Sequence, residues 1–239
     1  MAKMTLDELV SQLRAAYGTA LRAVVLYGSA AGGEHRPGKS DYNVLVVVDT
    51  LGMPQLRAVA ATARAWGEAG NPPPLTLTVA EWLSSSDVFP IEYADILERH
   101  RVLHGTLPLE GISVAASDLR AQVEQQALGK LLQLRQGILA AGGNAKRNLA
   151  LLEASLSTLM VVFRAVVRLH GGRPPADYEA LAKQVGESAG FDPAPFLRVV
   201  RHARGSERLP PDAAEPVLAA YLDALEALVA YIDRYSAER

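Results

Sequence analysis

The chain has 239 residues, 49% apolar and 21% charged, with no run of about 18 uninterrupted apolar residues; this is the composition of a chain that buries a core, not of a disordered or membrane-spanning one. Its 24 basic and 26 acidic side chains leave a net charge of -2, and neither half is a polyelectrolyte, which removes the broad electrostatic case for a nucleic-acid coat protein. The absence of cysteine excludes disulfides, thiolate metal sites and a cysteine nucleophile, and with no basic segment followed by an apolar one in MAKMTLDELV the expected location is the cytoplasm.

Thr5 stands ahead of Leu6, Leu9, Val10 and Leu13, with Glu8 three residues on, and so reads as a capping box opening a helix that ends near Tyr17 and Gly18. Residues 23–27 and 44–48 are short, largely β-branched runs, buried strands that stop at Gly28-Ser29 and at Asp49. Residues 54–69 return to a helical period through Leu56, Val59, Ala60, Ala63 and Trp66, and Asn71 with the prolines 72–74 stops them. Residues 75–79 alternate strictly and predict a strand with one apolar side and one hydroxylated side, Thr76 and Thr78; Glu81 would take the apolar parity if that strand ran on. Residues 101–105 read as a further short strand. From Ser117 onward the strand pattern vanishes. Leu119, Val123, Ala127, Leu131, Leu134 and Ile138 recur at helical spacing, as do Leu149, Leu152, Leu156, Leu159, Phe163, Val166 and Leu169, and shorter helices are expected around 177–189, 194–204 and 214–235.

Chemistry concentrates in one stretch. Val24-Val25-Leu26-Tyr27 runs into Gly28-Ser29, and after eleven intervening residues Ser40-Asp41-Tyr42-Asn43 leads into the next strand. This arrangement resembles the nucleotidyltransferases of the DNA polymerase beta superfamily, among them the minimal and aminoglycoside nucleotidyltransferases, over roughly residues 20–105. The resemblance implies an α/β (α+β) domain with a small mixed sheet over 1–110, followed by an all-α helical bundle over 117–239. It also implies that the Gly-Ser turn, with Gly33 and Ser40, holds the triphosphate of a nucleotide, and that carboxylates two residues apart on the next strand bind two divalent metals. Glycine lets backbone amides approach a phosphate, and strand residues i and i+2 share one side.

The chain departs from that pattern where charge matters most. Asn43 stands where a second carboxylate is expected, and its amide oxygen can touch a cation without balancing it. The later strand that would carry the third acid offers Thr76 and Thr78 alone. Positions 30–32 read Ala-Ala-Gly where basic residues often follow the turn. Asp49 shares parity with Asp41 but lies eight residues, roughly 26 Å, along the strand, whereas paired catalytic metals sit about 4 Å apart. Glu34, Glu92 and Asp95 stay open as substitutes.

The expectation is therefore a nucleotidyltransferase-like protein with a reduced metal site. Asp41 and Asn43 are the candidate catalytic residues, Asp41 is the candidate metal ligand, and Gly28, Ser29, Gly33 and Ser40 are the candidate nucleotide contacts. Magnesium belongs to the site only if it is active, in which case a nucleoside monophosphate from a nucleoside triphosphate passes to a hydroxyl of an unidentified small-molecule or protein acceptor. Neither a membrane nor nucleic acid is an expected partner, and the helical half would close over the cleft or form a homodimer. The alternative is a non-catalytic scaffold or regulatory protein that associates through its helical bundle.

Four weaker signals complete the reading. His100 and His104 are four apart, a metal spacing only on a helix. His35, Arg36 and Lys39 share a polar loop. Arg198, Arg201, Arg204 and Arg208, with His202, recur at helical intervals that could receive a phosphate-rich partner. Arg164 and His170 loosely resemble an arginine-to-histidine ribonuclease signature.

Overall fold

In a computed structural model, residues 3–32 and 41–235 are described. The chain forms two compact units, Met1–Val114 and Ala115–Arg239.

The first unit is built on a four-stranded mixed sheet, β1 (Leu21–Tyr27), β2 (Asn43–Val48), β3 (Leu75–Thr78) and β4 (His100–Gly105), in the order β3-β2-β1-β4. β1 pairs antiparallel with both β2 and β4, while β2 and β3 are parallel. Helices α1 (Leu6–Tyr17) and α2 (Met53–Glu68) belong to one side of the sheet, where Leu9, Leu13 and Trp66 pack with Val24, Leu26, Val44, Val46 and Val48. On the other side Trp82 of α3 (Val79–Ser84) and Tyr93 and Ile96 of α4 (Pro90–Glu98) pack with Ala23, Val25, Leu45 and Val47. Over residues 23–27 and 44–48 the two central strands are thus apolar throughout because both of their sides are covered, which is why they read as continuous runs rather than alternations.

Local signals set the boundaries. The Thr5 hydroxyl accepts from Glu8 N–H and the Glu8 carboxylate accepts from Thr5 N–H at 2.8 Å, the capping box at the start of α1. A second box was not foreseen: β3 stops at Thr78, whose side chain caps α3 while Glu81 accepts from Thr78 N–H at 2.7 Å. Glu81 therefore does not continue the strand. It serves a helix N-terminus, and the Thr78 backbone and side-chain donors hold its carboxyl below the ordinary value. Trp82 and Tyr93 stack with ring centroids 4.4 Å apart, and Trp82 donates to the Pro108 carbonyl at 2.6 Å. This ties the segment after β4 back under the sheet.

The second unit is helical throughout its described elements: α5 (Ala116–Ala141), α6 (Ala145–Leu169), α7 (Tyr178–Ala189), α8 (Ala194–Arg204) and α9 (Ala214–Arg234). α6 packs against each of the other four. It is long and apolar enough to cross a membrane by composition alone, yet more than half of that window is buried against the bundle and it carries the buried Arg164. A core helix has this character because apolar residues are needed all round it. Phe163, Phe191, Phe196 and Tyr221 form its aromatic centre, with Phe196 and Tyr221 ring centroids 4.3 Å apart.

Candidate functional site

β1 delivers the chain to Gly28 at a backbone φ of +72°, a conformation L side chains rarely adopt. Residues Gly28–Ala30 then close a tight 3-10 turn, with the Gly28 carbonyl accepting from the Ala31 and Gly32 amides at 3.1 and 3.2 Å. Ser29 occupies the middle of that turn. Because β1 and β2 are antiparallel with Tyr27 opposite Asn43, the turn lies directly beside the first residue of β2. A Cβ placed on Gly28 would sit 3.3 Å from Asn43 Nδ2. The missing side chain is thus what brings the backbone turn and this amide together.

Asp41 lies two residues before Asn43 and is exposed. Tyr42 between them donates its backbone N–H to Asn71 Oδ1 at 2.9 Å, and its ring packs on the α1–α2 side, 6.1 Å from Trp66. Alternation along this extended lead-in leaves Asp41 and Asn43 on the α3–α4 side. Tyr27, the register partner of Asn43, shares that side. Burial, followed by the charges of Glu92, Asp95 and Asp41, pushes its phenol up to about 12, so it stays a neutral hydrogen-bonding group. Glu92 and Asp95 come from α4, one helical turn apart, and Asp95 lies 3.4 Å from the Arg99 guanidinium.

The sheet register corrects the expected role of β3. Thr76 pairs with Val46 and Thr78 with Val48, so both hydroxyls lie on the α1–α2 side, away from Asp41 and Asn43. Leu75 and Leu77 are the β3 residues on the acid-bearing side, opposite Leu45 and Val47. Strand alternation revealed that the threonines share a side; only the parallel pairing settles which one.

A divalent pair does not fit these donors. Among the described residues no group of three His, Asp or Glu side chains could hold a metal ion. Asn43 is neutral, β3 presents leucines, and Asp95 is engaged by Arg99. Asp49 lies at the far end of β2, where it accepts from Arg22 at 2.6 and 2.7 Å. Gly33 and Ser40, with Glu34, His35, Arg36 and Lys39, lie outside the described residues.

The other sequence signals separate. His100 and His104 lie on β4, not on a helix. His100 donates through Nδ1 to the Ile96 carbonyl at 2.7 Å, while His104 borders an open cavity of about 420 Å³ with Ser11, Arg14, Ala15, Gly18 and Thr19. The arginines of α8 are answered by acids from α7 and the following loop: Arg201 lies 3.0 Å from Glu179, Arg198 3.6 Å from Glu207, and Arg204 pairs with Asp177. That surface is a set of ion pairs, with Glu179 and Asp177 supplied by tertiary packing. Arg164 is buried with its guanidinium 5.4 Å from the Tyr178 ring centre, whereas His170 meets the Tyr231 hydroxyl at 2.6 Å and is pulled below the ordinary imidazole value by burial. Six residues of helix separate the two by about 240° of rotation, which leaves no shared face for a ribonuclease pair.

No family model and no curated protein sequence matches the chain. Among solved structures it is similar to spectinomycin adenyltransferase AAD(9) from Enterococcus faecialis, determined with ATP and spectinomycin. The TM-score is 0.58 at 15% identity, over 92% of this chain and 98% of that one. The likeness is one of fold, a small mixed sheet followed by a helical region as in a nucleotidyltransferase.

Proposed function

We propose that the first unit is a nucleotide-binding module of nucleotidyltransferase type, taking the phosphate chain of a nucleoside triphosphate at the Gly28-Ser29 turn and retaining at most a remnant of the metal site. The observation that carries this reading is the seating of the turn at the ends of β1 and β2, with Asn43 against it and Asp41 two residues upstream. The neighbour's fold and its ATP add support. Binding rather than transfer to an acceptor hydroxyl is the proposed activity, because the acids that would balance two cations are missing from the described part of the site. A cytoplasmic location accords with a nucleotide ligand and a chain without cysteine.

The test is calorimetric titration of ATP into the protein and into a Gly28→Val, Ser29→Ala double variant, with the fluorescence of Trp66 and Trp82 checking that the first unit stays folded. Loss of ATP binding in a folded double variant is the expected result; undiminished binding would remove the turn from the site. The rival reading, a scaffold that associates through its bundle, has one observation in its favour, the exposed Leu128, Leu132 and Leu139 along one side of α5. Sedimentation of the protein and of Leu132→Asp decides it: association lost in the variant would support the scaffold.

A further inference from the structure

We infer that Asn43 makes this site an anion-binding site that works without a divalent cation, its amide donating to the phosphate group held at the Gly28 turn. The inference rests on the reading that the turn binds phosphate, and goes beyond it by assigning the residue that replaces the metal.

A carboxylate at position 43 would be acceptor-only and would repel a phosphate unless a cation stood between them; an amide carries two N–H donors and needs no cation. The position is close enough to matter. Gly28 stands at φ +72°, and a Cβ there would lie 3.3 Å from Asn43 Nδ2, so the amide packs directly against the backbone of the turn.

The acids nearby bear on the choice. Asp41, Glu92 and Asp95 all act on the Tyr27 phenol, which stays neutral. Asp95 has Arg99 beside it. With Asn43 uncharged, three acids act on Tyr27; a carboxylate in its place would add a fourth and raise the demand for a counter-ion. The remaining negative field opposes an anion and keeps binding weak.

Inorganic tripolyphosphate is the probe, titrated with EDTA and with magnesium into the protein and into Asn43→Asp, Asn43→Ala and Gly28→Val. The expected result for the parent is the same affinity in both buffers. Asn43→Asp should bind about tenfold more weakly in EDTA, the effect of one added like charge at the site, and magnesium should restore it. Asn43→Ala should weaken binding in both buffers alike. Thermal melting of Asn43→Asp supplies a second readout, with a midpoint that magnesium raises and EDTA lowers, against a parent indifferent to both. A parent that binds only with magnesium, or an Asn43→Asp protein that binds like the parent in EDTA, overturns the inference. If Gly28→Val abolishes binding while residue 43 has no influence, the phosphate-binding turn stands and Asn43 is not its donor. If Gly28→Val is also without effect, or the parent binds no tripolyphosphate, both readings fall.

Discussion

Gly105 ends β4 at a φ of +71°, and a Cβ built there would lie 1.9 Å from the Arg22 carbonyl oxygen of β1, the same oxygen that accepts from Thr106 N–H at 3.0 Å. Gly105→Ala therefore carries two costs. Holding a non-glycine residue in the left-handed region costs about 1–2 kcal/mol. The overlap is with backbone and cannot be relieved by turning a side chain, so β1 and β4 must part locally, at about 1–3 kcal/mol by analogy with overpacked interiors. Gly111 is the internal control: its φ is +79°, but nothing lies within 4 Å of a Cβ there, so Gly111→Ala should cost only the first amount. In a domain of this size, at about 4 °C per kcal/mol, the contrast is a fall in melting midpoint of roughly 8–20 °C against roughly 4–8 °C. Fluorescence reads it cleanly, because the two tryptophans of the chain, Trp66 and Trp82, are both fully buried in the first unit, on opposite sides of its sheet. Equal losses in the two variants would show that the Arg22 contact carries no energy, and the reasoning from close approach would fail.

Two further outcomes follow from register and charge. Adding acids to the site should depend on strand side: Asn43→Asp with Leu75→Asp should gain manganese affinity by electron paramagnetic resonance, whereas Asn43→Asp with Thr76→Asp should not exceed Asn43→Asp alone, since Thr76 pairs with Val46 on the opposite side of the sheet; a gain with Thr76 would contradict the register. Tyr27 has a folded-state pKa pushed up to about 12, above the unfolded value of about 10, so the stability it contributes is complete below about pH 10 and is lost as the pH rises toward 12. Tyr27→Phe should accordingly shift alkaline unfolding of the first unit to higher pH, and superimposable transitions for the two proteins would rule out Tyr27 as a contributor.

What was readable along the chain was local. Thr5 and Glu8 specify a helix start through bonds three residues apart, and the apolar stripe of α6 specifies a helix whatever surrounds it. Gly28-Ser29 marks a turn because it ends one short apolar run, and Ser40-Asp41 stands just before the next. Tertiary structure decided everything that depends on two segments meeting. The alternation of residues 75–78 has the same appearance whichever side of the sheet its threonines face; the parallel pairing of β3 with β2 turns them from Asp41 and puts Leu75 and Leu77 on the side of the sheet that carries it. Glu92 and Asp95 are about fifty residues from Asp41 in sequence, and nothing in their own helix announces that the packing of Tyr93 and Ile96 on the sheet will carry them to Tyr27. The α8 arginines resemble a phosphate-binding stripe until folding brings up Asp177 and Glu179. Secondary structure is dictated by neighbours within a few residues, which the sequence contains; the sign of the field at a site is a sum over charges that only the packed chain brings within a few ångströms of one another.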